Sequence, residues 1–207
     1  GLGGATIPST LQYLLPDAQI DVAELDEAVH KVALNYFNFK PGPHTKVTIA
    51  DGRVFVKRAR TANARYDMIL LDAFEADYIP EHMLTREFLQ EVKSIMTPNG
   101  VIVANTFSNS ALYDYESVTY RAVFGPFYNL KLGNRIILGR SGGISPSTDG
   151  ALARQNAQAL EAEFKKRGSG AEFILPLLSA DIDWNPGARV LTDQYSPSNL
   201  LNALPRN

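Results

Sequence analysis

The sequence predicts one doubly wound α/β domain whose mostly parallel sheet ends in an antiparallel hairpin. Three observations lead there. Four apolar, β-branched runs are bounded by turn residues or end in an acid; helical patterns separate them; and two strand-like runs near the middle of the chain meet at a tight turn. With 45% hydrophobic and 20% charged residues in a length of 207, the chain can bury a core of ordinary size.

The elements follow in order. The chain opens GLGGATIPSTLQYLLP. A glycine-rich turn of this kind follows a buried strand and opens a helix, here about Pro8 to Leu15, so the first strand is expected to be missing from these residues and to lie upstream of Gly1. The parallel strands are IDVAEL (20 to 25), KVTIAD (46 to 51), YDMILLDAF (66 to 74) and GVIVANTF (100 to 107). Helices are expected over Asp26 to Phe37 and over Thr85 to Met96, the latter stopped by PNG. Helix-compatible residues from Leu112 to Phe124 then lead to FYNLKLG and NRIILGRSG, which meet at Gly133-Asn134, a junction suited to an antiparallel turn. A parallel sheet with this ending has the layout of the methyltransferase-type Rossmann sheet. After the loop SGGISPSTDG, a helix is expected from about Gly150 to Arg167, and a proline-rich tail packs back. The whole chain, 1–207, reads as one domain with a core over 1–142 and a C-terminal helix and tail over 143–207.

Composition narrows the chemistry. A net charge of -2 offers no surplus of cations for a phosphate backbone, so nucleic acid is not expected as a partner. The absence of cysteine removes thiolate chemistry, and His30, His44 and His82 lack metal-ligand spacing. No apolar run approaches the roughly 20 residues that a membrane helix needs.

In an open parallel sheet, ligands bind beyond the carboxyl ends of the strands, and each end here carries a glycine or an acid. Gly1, Gly3 and Gly4 let the backbone approach a ligand. Glu24, at a strand tip about 20 residues on, is placed to accept from ribose hydroxyls. Asp26 can instead cap the next helix. Asp51 can accept from an adenine amine with Gly52 leaving room for the ring, or the pair can form a plain turn. Asp72, Glu75 and Asp77 form either a site for a cationic substrate or a solvated loop; Asp72 follows MILL directly, where a charge is costly without a use.

Taken in order, GLGG, AELD, DG, YDMILLDAF, PEHMLTREFLQEV and PNGVIVAN resemble the spermidine synthase family of polyamine aminopropyltransferases, over about residues 1 to 140. The resemblance implies that Gly1, Gly3, Gly4, Glu24, Asp51 and Gly52 hold decarboxylated S-adenosylmethionine, the co-substrate, or S-adenosylmethionine itself. It makes Asp72 the catalytic base and gives Glu75 and Tyr128 to the amine substrate, with no metal required. LTDQYSP, near the end, resembles an LTDDxxP run of bacterial members and carries no assigned role. It further implies a homodimer or higher homo-oligomer of the complete protein, polyamine biosynthesis and a cytoplasmic location.

Three departures stand out. The family loop keeps an Asp for the aminopropyl ammonium where Gly4 stands; its DSSDP-like loop has become Asp72-Ala73-Phe74-Glu75-Ala76; and its N-terminal β-rich segment has no counterpart in these residues. The expected function is aminopropyl transfer to a polyamine such as putrescine. The alternatives are a small-molecule methyltransferase using S-adenosylmethionine and a nucleoside- or polyamine-binding protein without turnover.

Overall fold

The computed structural model describes residues 1–73, 80–107, 109–166, 168 and 175–206. Six strands form the framework: β1 (Ile20–Glu24), β2 (Thr45–Ile49), β3 (Tyr66–Leu71), β4 (Met96–Thr106), β5 (Tyr128–Leu132) and β6 (Asn134–Arg140). Around them run α1 (Thr6–Leu14), α2 (Glu27–Tyr36), α3 (Gly52–Thr61), α4 (Arg86–Ser94), α5 (Leu112–Phe124), α6 (Pro146–Lys166) and α7 (Ser198–Asn202).

The strands pair as β2-β1 and as β3-β4-β6-β5. Strands β1 and β2 are parallel, as are β3 and β4, whereas β6 runs antiparallel to both β4 and β5. The hairpin turns at Gly133, whose φ of 92° is a conformation that glycine adopts without strain. The expected mixed sheet is therefore present. Among the described residues no strand lies between β1 and β3. The Tyr66 hydroxyl at the start of β3 reaches across to β1, where it donates to Asp21 Oδ2 at 2.9 Å.

Local sequence explains most element ends. Asp26 caps α2 by accepting from the Ala28 N–H, and Thr85 caps α4 by accepting from the Phe88 N–H. Two expectations need correction. Helix α3 occupies a stretch where no helix was expected; it starts at Gly52, and Asp51 caps it through the Val54 N–H. The helix expected to run to Met96 and stop at PNG ends earlier, at Ser94, and PNG lies inside β4, where the register with β3 shifts between Tyr66 and Met68.

The main core packs α4 and α5 on the four-stranded sheet. Phe88, Leu89 and Val92 of α4 meet Ile102, Ala104 and Ile137 of the strands, and all six are buried. A smaller cluster of Leu2, Ala5, Val22, Ala33 and Phe39 fixes the opening loop, α1 and α2 on β1. The tail does pack back: Leu191 and Leu201 join Leu84 and Leu112, and Ser179 bridges to Asn129 at the sheet edge. Behind β6, fully buried Arg135 pairs with Glu116 at 3.3 Å, donates to the hydroxyls of Thr106 and Ser117 at 2.7 and 2.6 Å, and lies 3.9 Å from the Tyr113 ring centroid. No helix among the described residues is long and apolar enough to cross a membrane.

Candidate active site at the strand ends

The strand ends bring the opening glycines, Glu24 and Asp72 to one place. Glu24 closes β1 and is 7% exposed. Its Oε2 accepts from the Leu2 N–H at 2.7 Å and its Oε1 from the Asp26 N–H at 2.9 Å. Each carboxylate oxygen has a second lone pair, so a rigidly held acceptor remains for two further donors. Gly1 adjoins the end of β3: a Cβ there would stand 2.8 Å from the Asp72 carbonyl oxygen. One short loop thus touches the ends of two strands.

The rest of that loop is shaped by its backbone. Gly3 and Ala5 have φ of 51° and 60°, a left-handed turn that leads into α1, and a Cβ on Gly3 would face open space. Gly4 packs on Phe37 instead, its Cβ position lying 3.0 Å from the ring. Open space at Gly3, a fixed carboxylate at Glu24 and the unpaired N–H groups opening α1 fit a nucleoside with a polar tail.

Asp72 is half-buried at the end of β3. Its Oδ1 accepts from Asn105 Nδ2 at 3.0 Å, and Asn105 Oδ1 in turn accepts from Asn134 Nδ2 at 3.1 Å. This chain of amides crosses from β6 through β4 to β3 and orients the carboxylate. Asn105 ends a strand as the acids do, so the same positional rule points to it, although the sequence reading did not single it out.

Asp51 has a double task. Oδ1 caps α3 and Oδ2 meets His82 Nε2 at 2.8 Å. Burial raises its carboxyl, but the Val54 N–H and His82 outweigh that and hold it below the usual carboxylate range. Beside it, Met83 Cε lies 2.8 Å from where a Gly52 Cβ would stand. His82 and Met83 belong to a 3₁₀ turn over Glu81–Met83, and their spacing from Asp51 carried no signal in the sequence.

Tyr128 is not brought to this group. It pairs with Leu138, which pairs with Val103, which pairs with Leu70, so it sits three strands from β3, about 14 Å at ordinary strand spacing, and below the level of Asp72. Glu75 lies outside the described residues, as do Phe74, Ala76 and Asp77.

The spermine/spermidine synthase domain profile matches residues 6–125. A polyamine aminopropyltransferase of Vibrio vulnificus (strain CMCP6) is 46% identical over 205 residues, which cover 97% of this chain and 68% of that protein. Among solved structures, human methyltransferase-like protein 13 in complex with SAH superposes with a TM-score of 0.67 at 26% identity, over 97% of this chain and 86% of that one. A probable spermidine synthase from Corynebacterium glutamicum ATCC 13032 gives a TM-score of 0.62 at 20% identity, over 92% of this chain and 72% of that one, a likeness of fold.

Proposed function

Since the chain belongs to the spermine/spermidine synthase family and is a transferase of its aminopropyltransferase type, we propose how its residues divide that reaction. Decarboxylated S-adenosylmethionine supplies the aminopropyl group. Glu24 accepts from the ribose hydroxyls, Asp51 and Gly52 face the adenine, and the backbone of Gly1, Gly3 and Gly4 lines the path of the sulfonium tail. The polyamine acceptor, such as putrescine, approaches Asp72.

One observation carries this reading: the opening loop donates to Glu24 through the Leu2 N–H and lies against the Asp72 carbonyl through Gly1. A nucleoside anchored on Glu24 therefore presents its sulfonium side toward Asp72. The attacking nitrogen must carry a lone pair, although polyamines are ammonium ions near neutrality. Asp72 Oδ1 is held by Asn105, whereas no donor among the described residues holds Oδ2, so Oδ2 is the oxygen we assign to the amine proton. The new C–N bond forms as the C–S bond breaks; its electron pair returns to sulfur to give methylthioadenosine, and the proton passes to Asp72. Glu75 would hold the distal ammonium by a charge-assisted bond.

The test uses the complete protein with putrescine and decarboxylated S-adenosylmethionine. It should release methylthioadenosine, and Asp72→Asn should lower kcat by about 10²- to 10⁴-fold, the usual contribution of a general base, with nucleoside binding retained. An Asn variant that turns over at the parent rate removes Asp72 from this role.

A second reading, methyl transfer from S-adenosylmethionine, is favoured by Gly4, which packs on Phe37 and puts no carboxylate where the family binds the aminopropyl ammonium. Calorimetry with the two nucleosides separates the readings. Tighter binding of the carboxylated form, with methyl transfer to an amine, would replace the first by the second.

A further inference from the structure

LTDQYSP, residues 191–197, takes no part in the chemistry above, yet it reaches the same end of the sheet. The link is Arg53, which follows Gly52 and is 9% exposed. Its Nε and Nη2 donate to the two oxygens of Glu91 at 2.9 and 3.0 Å. Its Nη1 and Nη2 donate to the two oxygens of Asp193 at 2.7 and 2.8 Å, and the second Nη1 hydrogen goes to the His82 carbonyl at 3.1 Å. All five guanidinium hydrogens are thereby used, a fork that an ammonium group cannot reproduce.

Asp193 holds more than Arg53. Its Oδ1 accepts from the Thr85 hydroxyl at 2.7 Å, the same hydroxyl that caps α4, and its N–H donates to Glu87 Oε2 at 3.0 Å. The Leu191 carbonyl accepts from the Arg86 N–H at 2.9 Å, and Ser196 Oγ donates to the Glu81 carbonyl at 3.0 Å. Bonds from Arg53 bring the Asp193 carboxyl down to about 2. The tail therefore fastens residues 81–87 on one side, while on the other side His82 and Met83 meet Asp51 and Gly52.

We propose that Asp193 is a positioning residue for the adenine end of the co-substrate: through Arg53 it fixes His82 and Met83 against Asp51 and Gly52 without touching the nucleoside. The proposal rests on the reading that Asp51 and Gly52 face the adenine. In Asp193→Asn one acceptor becomes a donor pointed at Arg53 or Thr85, so the fork opens and the His82 carbonyl loses its fixed partner. The segment against Gly52 then has more than one arrangement, and only the bound state requires a single one.

The experiment compares the parent with Asp193→Asn, both in the complete protein. The dissociation constant of methylthioadenosine, by calorimetry, and the KM for decarboxylated S-adenosylmethionine are expected to rise about 10- to 100-fold, whereas the putrescine KM and the kcat at saturation change by less than about twofold. Unchanged nucleoside affinity, or a fall in kcat with unchanged KM as from a smaller folded fraction, overturns the proposal. If the Asn variant does not fold, Asp193→Glu, which keeps the charge and displaces it by one methylene, takes its place under the same criteria. If the parent binds no methylthioadenosine, the nucleoside reading fails by itself. Amide hydrogen exchange at His82, Met83 and Leu84 then decides the positioning: faster exchange in the variant supports it, and equal exchange overturns it.

Discussion

Replacing Glu24 by Gln isolates the anchor of the proposed nucleoside site. In the parent, both carboxylate oxygens accept backbone N–H groups, from Leu2 at 2.7 Å and from Asp26 at 2.9 Å. A Gln amide has one oxygen, so in either orientation its NH₂ faces one of these donors, and a buried N–H is left unpaired. That costs about 1–3 kcal/mol of stability, which for a chain of this size lowers Tm by about 2–12 °C. The second loss concerns the ligand. Two charge-assisted bonds to ribose hydroxyls become one neutral acceptor and one misdirected donor, a deficit of about 2–4 kcal/mol, or about 30- to 1,000-fold in the dissociation constant. Calorimetry with methylthioadenosine measures this at a temperature well below either Tm. Its 2′-deoxy analogue sharpens the assay: the parent should lose affinity on removal of the hydroxyl, whereas the Gln variant should respond much less, because the coupled partner is already gone. A Gln variant that binds within about threefold of the parent, an energy difference under roughly 1 kcal/mol, refutes the assignment of Glu24 to the ribose.

Other perturbations follow from the same contacts. Gly1→Val should press a side chain into the Asp72 carbonyl, now 2.8 Å from the Cβ position, and lower the transfer rate more than it lowers Tm; an unchanged rate would separate the loop from the base. Arg135→Met leaves Glu116 buried without its cation and should cost about 3–5 kcal/mol in urea unfolding, most of it recovered in the double variant Arg135→Met with Glu116→Leu. A double variant no more stable than the single one would contradict this account. Acid stability has a definite sign at Asp193, whose carboxyl falls from an ordinary 3.8 to about 2 beside Arg53. The lowered value means that its contribution is complete above 3.8 and is lost as pH falls toward 2, so Tm should drop over that window, and less steeply in Asp193→Asn. Equal slopes in the two proteins would show that Asp193 does not contribute.

Much of the fold is local in origin. The strands β1, β2 and β3 are short apolar runs that end within two residues of an acid, and the hairpin follows from two strand-like runs that meet at Gly133-Asn134. No element was expected over α3, where Arg53, Lys57, Arg58 and Arg60 stand among the apolar positions of RVFVKRART. Its buried face combines Val56 and Ala59 with Arg53, and a buried arginine makes sense only once Glu91 and Asp193 are known to meet it. Likewise PNG reads as a stop, yet the strand begins before it because β3 pairs with Met96 as well as with the later residues.

The candidate site divides in the same way. Glu24, Asp51 and Asp72 stand out in the chain because a strand end fixes their height and a charge next to apolar residues demands a purpose. Their proximity to the opening glycines follows from a parallel sheet, in which every carboxyl end faces the same side. Lateral position is different: it depends on strand order and on segments folding back from far along the chain. Tyr128 falls three strands away through the pairings of β6, and His82 meets Asp51 from a segment, residues 81–87, that is bonded to a tail from Leu191 onward. Sequence alone determined which strands form and which residues top them, since periodicity and local charge are short-range properties. Only the tertiary structure decided which neighbours share that edge, because contacts between residues as far apart as Arg53 and Asp193 leave no local pattern.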